Sequence, residues 1–205
     1  MSLFDDVYKT IDSPSEGVFR DKGSKFIAYI RPFREETMLK EVLAEIRTLH
    51  PKARHYCWAY RLTPDRTIFR TNDDGEPSGT AGRPILNVLL SLELTNLIVI
   101  VVRYFGGTLL GVPGLIHAYK SATQDACAEA EIIERTVNDI YVITFDYLQM
   151  NEVMRITKDF ELNIVNQEFD TRCEITLEVR KSHVNQVISK IEALSDVKIT
   201  YLKTI

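Results

Sequence analysis

The sequence predicts an α+β chain in two parts, and three observations carry this. Segments with the two-residue alternation of strands are interleaved with segments of helical periodicity. Residues 96–103 form an almost unbroken aliphatic run, the pattern of a strand buried on both faces. After Glu131 the pattern restarts and gives strand, helix, strand, strand, helix, strand, the order of the ferredoxin-like split βαβ arrangement.

In chain order, residues 26–30 are β-rich and follow a turn at Lys22-Gly23-Ser24. Residues 35–49 carry Met38, Leu39, Val42, Leu43, Ile46 and Leu49 on one helical stripe, with Thr37 or the preceding acids as a cap and Pro51 as a stop. Residues 55–62 alternate as a strand and turn through Thr63-Pro64-Asp65 into a second short strand at 67–71. Residues 84–92 read as a helix with Pro84 in its first turn, and 115–130 as an alanine-rich helix. The second part reads as strand 137–145, helix 148–160, strands 162–169 and 173–179, helix 182–194 capped by Ser182, and strand 197–202. The boundary is expected near Thr136, giving domains 1–135 and 136–205.

Composition is that of an ordinary globular protein, 45% hydrophobic and 26% charged. A net charge of −4 excludes a surface that is basic throughout. Charge is uneven, however. Residues 47–70 hold six basic side chains against Asp65, residues 20–34 hold five against Asp21, and residues 136–205 hold eight against eleven acids. Cys57, Cys127 and Cys173 are far apart and match no metal spacing, which suits a reducing compartment. Residues 1–11 are too polar for a signal peptide, and the longest apolar run, 97–102, is too short to span a membrane. A cytoplasmic location is expected.

Seven of the nine glycines fall between Gly75 and Gly114, in two stretches that concentrate candidate function. The first, residues 73–84, clusters Asp73, Asp74 and Glu76, a candidate oxygen-ligand set for a hard cation such as Mg²⁺ or, alternatively, turn chemistry. Ser78, Gly79 and Thr80 lead into a helix whose amides favour an anion, unless Ser78 or Thr80 simply caps it. The second stretch, residues 103–114, follows the buried strand. Arg103, Gly106, Gly107 and His117 there are candidate anion contacts, although Arg103 has Asp73 or Glu76 as alternative partners. The spacing is neither a Walker loop nor GxGxxG, and no GxSxG elbow surrounds Ser78. His55 and Cys57 share a strand face, but alternate positions lie ~7 Å apart, too far for a catalytic dyad. Tyr56, Trp58 and Tyr60 share the other face, as core or as a stacking platform for bases. No residue is singled out as catalytic.

These motifs carry a resemblance. The runs Asp74-Gly75-Glu76-Pro77-Ser78-Gly79-Thr80-Ala81-Gly82-Arg83-Pro84 and Val101-Val102-Arg103-Tyr104-Phe105-Gly106-Gly107 resemble the Impact/YigZ-like family, and Ala53-Arg54-His55-Tyr56-Cys57-Trp58-Ala59-Tyr60 looks like its Ala-x-His-x-x-x-Ala-Tyr segment. The resemblance implies a ribosomal protein S5 domain 2-like fold for the first domain. It implies a ferredoxin-like second domain similar to domains of elongation factor G, as in prokaryotic members. It adds Arg54 and His55 to the candidate anion contacts. One segment departs: the family's Lys-Leu-Gly-x-Gly-Gly-Leu-x-Arg-Ala-Tyr stands here as Leu109-Leu110-Gly111-Val112-Pro113-Gly114-Leu115-Ile116-His117-Ala118-Tyr119. Two fixed positive charges are gone, and Pro113 is expected to restrict the loop.

Three functions follow as expectations. The leading one is a non-enzymatic, translation-associated regulator that binds RNA, the ribosome or a translation factor, with no DNA sequence specificity. The second is an enzyme on a phosphorylated small molecule, using the glycine loops and a metal. The third is a protein-interaction regulator, since the family's eukaryotic relatives restrain a translation-factor kinase by binding its activator.

Overall fold

The structure, a computed structural model, describes residues 6–170 and 172–205. The first five residues of the polar 1–11 segment lie outside these. The chain divides into two compact units, Tyr8–Arg135 and Thr136–Ile205, the latter taking in residues 6 and 7.

The larger unit contains, but for the boundary residues Val7 and Thr136, β1 (Val7–Ile11), β2 (Ser15–Asp21), β3 (Ser24–Pro32), α1 (Leu39–Leu49), β4 (His55–Leu62), β5 (Ile68–Asn72), α2 (Gly82–Ser91), β6 (Leu97–Tyr104), α3 (Gly111–Ala128) and β7 (Ile132–Thr136). Its five-stranded sheet has the order β2-β3-β6-β4-β5, with every neighbouring pair antiparallel. β1 and β7 pair as a separate two-stranded sheet. The aliphatic run becomes the central strand β6, buried on both faces. Val99 and Val101 join Ala28, Cys57 and Ala59 beneath α2 and α3. Ile98, Ile100 and Val102 join Tyr56, Trp58 and Tyr60 beneath Val42 and Ile46 of α1. Each such fully buried aliphatic side chain contributes roughly 1.5–3 kcal/mol. The tyrosine–tryptophan stripe is therefore core, with Trp58 and Tyr60 stacked at 5.6 Å, and is not a platform for bases.

The smaller unit contains β8 (Asn138–Phe145), α4 (Met150–Asp159), β9 (Asn163–Phe169), β10 (Cys173–Arg180), α5 (Val184–Glu192) and β11 (Lys198–Thr204). Its antiparallel sheet has the order β11-β8-β10-β9. Ile143, Ile175 and Leu177 on one face pack against Val153, Ile156, Val187 and Ile191 of the two helices.

Several local expectations are corrected. β1, β2 and β7 were not predicted; β2 contains Ser15, Gly17 and Arg20, which blur its alternation. α3 begins at Gly111, four residues before the expected 115, so Pro113 lies in a first helical turn and restricts no loop. Proline fits there because the first amides of a helix have no intrahelical acceptor. Ser182 sits inside a 3₁₀ turn, Lys181–His183, and does not cap α5.

Candidate functional site

The first glycine stretch is held by its own acids. Asp73 accepts the amides of Ala81 at 3.0 Å and Gly82 at 2.8 Å on one oxygen, and that of Gly79 at 2.8 Å on the other. The anion at the N-terminus of α2 is thus a carboxylate of the chain, where a helix start favours negative charge. Thr80 donates its hydroxyl to the Pro77 carbonyl, and Ala81, the capping position, makes no side-chain bond. Neither Thr80 nor Ser78 caps the helix, and the Gly79 amide is already taken. Asp74 accepts the Tyr56 amide at 2.7 Å and faces Arg47 at 3.8 Å, while its carbonyl bonds His55 Nδ1 at 2.9 Å. Glu76 accepts from Arg103 at 2.6 Å and from the Tyr119 hydroxyl at 2.7 Å. The three carboxylates do not share one centre, and among the described residues no group of three or more His, Cys, Asp or Glu is arranged to hold a metal ion.

Arg103 therefore pairs with Glu76, one of the two alternatives left open by the sequence, and both side chains are more than nine-tenths buried. The guanidinium lies 5.5 Å over the rings of Phe26 and Phe105. Beyond Glu76 the chain of contacts runs to Tyr119 and then to Cys57 Sγ, 3.3 Å away. Burial pushes the Cys57 thiol and the Tyr119 phenol well above their usual ranges. Cys57 faces Tyr119 and the Asp73 carbonyl, while His55 is turned to Asp74, so the two form no dyad. This cluster works as a strut between the two glycine stretches.

The second stretch is packed at its start and open after that. The Gly106 amide donates to Ser24 Oγ at 3.1 Å, and a Cβ on Gly106 would fall 2.0 Å from the Gly23 carbonyl carbon. Gly107 has a positive φ of 88° and open space around its Cα. His117 lies in the second turn of α3, exposed, its ring edge-on to Phe19 at 5.3 Å.

Strand register gathers these parts at one end of the sheet. Asp21 faces Ser24, Lys25 faces Tyr104, His55 faces Arg103, and Trp58 faces Asn72 just before the 73–81 loop. Lys22, Lys52 and Arg54 there are exposed, Lys25 is half-exposed, and none makes an ion pair with another described residue. The loop acids make contacts of their own, and none of them is an ion-pair partner of Lys22, Lys25, Lys52 or Arg54.

Sequence reasoning missed a second cluster at this end. His50 bridges two phenols, Tyr29 at 2.6 Å through Nε2 and Tyr104 at 2.9 Å through Nδ1. Burial, with the charge of Lys25, lowers the His50 pKa. Tyr119, which donates to Glu76, is likewise unmarked in the sequence. No local periodicity marks these residues, because their partners are remote in sequence.

Fold and site together define a two-unit α+β protein with a glycine-rich, basic sheet end braced by a buried ion pair. The family model for the Impact N-terminal domain matches residues 22–127, which include both glycine stretches. The chain is 34% identical to an IMPACT family member of Haemophilus influenzae over 83% of this chain and 84% of that one. It is 30% identical to the IMPACT family member YvyE of Bacillus subtilis over 96% and 94%. A crystal structure of a hypothetical protein superposes with a TM-score of 0.74 at 25% identity, covering 98% of this chain and 99% of that one. The chain belongs to the IMPACT family. Among the described residues no helix is long and apolar enough to cross a membrane.

Proposed function

We propose that this protein is a non-enzymatic, translation-associated factor that binds structured RNA, alone or within the ribosome, through the basic end of its five-stranded sheet. One observation carries the reading: Asp73, Asp74 and Glu76 are held in contacts of their own, so Lys22, Lys25, Lys52 and Arg54 form a cationic rim with no ion pair among the described residues, beside open glycine backbone. Phosphate backbones are recognised by such rims, with affinity that falls as salt rises. The translation setting rests on the family resemblance. In the same reading the unit over residues 8–135 is S5 domain 2-like, again from that resemblance. The unit over residues 136–205 is ferredoxin-like, which its strand–helix order and the sheet order β11-β8-β10-β9 support.

Binding to ribosomes and to structured RNA across a salt series tests this. The expected result is tight association at low salt that weakens steeply with salt. The double variant Lys22→Glu/Arg54→Glu should lower the salt slope by roughly 2 while leaving the fold intact. Absence of association with either target at low salt would refute the proposal.

A further inference from the structure

The aromatic stripe of β4 is core, yet one exposed aromatic ring stands at the cationic sheet end. Phe105, the residue after β6, is 56% exposed. The other exposed aromatic residues described lie elsewhere: Phe69 faces Arg61 at the far end of β4, and Tyr147, Phe169 and Tyr201 belong to the smaller unit.

Register fixes where the ring emerges. Tyr104 faces Lys25 on β3, and Arg103 faces His55, which follows Arg54 into β4. Phe105 therefore leaves the sheet between the strand that bears Lys25 and the strand that Arg54 leads into. Gly106 packs on Gly23, so the exposed Lys22 is a near neighbour.

The ring is braced from the protein side. The Arg103 guanidinium lies 5.5 Å from its centroid and is itself held by Glu76 and the Phe26 ring. Arginine stacks on aromatic faces in this way. The Arg103 side chain is buried, so that side of Phe105 is closed and its exposure is turned outward. Gly106 and Gly107 follow without side chains, and a Cβ at Gly107 would meet nothing within 4 Å, which leaves that flank open.

These features select the occupant. An apolar anchor of a protein partner draws its energy from a packed, desolvated pocket, which glycine flanks do not make. A nucleobase stacks on an open ring face and needs no such pocket. Cations without ion pairs at the same sheet end attract the phosphates that a base carries with it. In a duplex the bases are already stacked on one another, so an unpaired base is the one with a face to offer. We propose that Phe105 is a stacking platform for an unpaired base, so that the RNA bound at this sheet end presents single-stranded or looped nucleotides. This inference rests on the RNA reading above and names the part of the RNA that is engaged.

Binding of the full chain to a short single-stranded RNA without self-pairing, and to a blunt duplex of the same length, tests this. Phe105→Ala should raise the dissociation constant for the single strand about 10-fold and leave that for the duplex unchanged. The ring carries no charge, so the variant's salt slope should equal the parent's, unlike that of Lys22→Glu/Arg54→Glu. Phe105→Trp should keep the affinity, and its emission should be quenched by the single strand and not by the duplex, over a constant background from the buried Trp58. Where Phe105→Ala fails to fold by circular dichroism, Phe105→Leu, which keeps bulk and removes the aromatic face, should weaken the single strand in the same direction. RNA binding that the folded variant leaves unchanged, or weakens equally for both RNAs, overturns this inference and spares the RNA reading. No association of the parent with either RNA overturns both.

Discussion

Between Asp73 and Gly82 the carboxylates are committed to the fold, whereas beyond Gly106 the backbone stands open. In the first stretch one carboxylate closes a helix, a second pins the start of β4, and a third meets a buried guanidinium. In the second, Gly106 is wedged against the Gly23 backbone, whereas a Cβ added at its neighbour Gly107 would meet nothing within 4 Å. The boundary between frame and free surface thus runs between two adjacent glycines. Glycine enrichment alone does not separate a recognition loop from a brace; the partners of the neighbouring acids do.

The largest effect should come from the brace. Glu76→Gln leaves Arg103 buried without its counter-charge and should destabilise the protein by about 3–5 kcal/mol in denaturant unfolding. The Cys57 thiol, one contact further along, should then be alkylated faster than in the parent. A loss within error of zero would mean that the ion pair does not hold the two stretches together. Gly106→Ala comes next, because its methyl meets backbone and not a pliable side chain; the expected loss is about 1–3 kcal/mol. Gly107→Ala has room for the methyl and suffers only from its left-handed backbone, costing about 1 kcal/mol. Equal losses at the two glycines, by thermal or chemical denaturation, would erase the boundary between them.

The smallest effect concerns His50, beside the open stretch. Its folded-state pKa is lowered, so the native state binds protons less readily than the unfolded chain. Its contribution to stability is present above the ordinary imidazole range and lost as pH falls below it. His50→Gln should flatten that part of the stability–pH profile. An unchanged slope between parent and variant would show that the Tyr29–His50–Tyr104 bridge is electrostatically silent.

The core of the fold was legible because hydrophobic periodicity is local. The aliphatic run of β6, the stripe of α1 and the order of elements after Thr136 all follow from spacing. The contacts between residues remote in sequence were not legible. The cap of α2 is Asp73, eight residues before Ala81, outside the range of any local capping pattern. Gly106 is a glycine because of Gly23, far upstream, and the strand face bearing Cys57 was explicable only once Tyr119 was known to lie across it. Pro113 and Gly114 disguised the first turn of α3 as loop. Of the candidate contacts, Arg54, Gly107 and His117 remain at the surface, while Arg103 and Thr80 proved internal.

The sheet order also dictates a sequence of events in time. β6 is the centre of the sheet, yet it is the last of the five strands to be synthesised. Until residue 104 has emerged, β2–β3 and β4–β5 exist only as separate hairpins, each too small to be stable in water on its own. α3, which closes the β2 edge, follows later still. A nascent chain arrested between β5 and β6 therefore carries the apolar faces of two hairpins without their common partner, the kind of exposed surface that makes incomplete chains prone to aggregate.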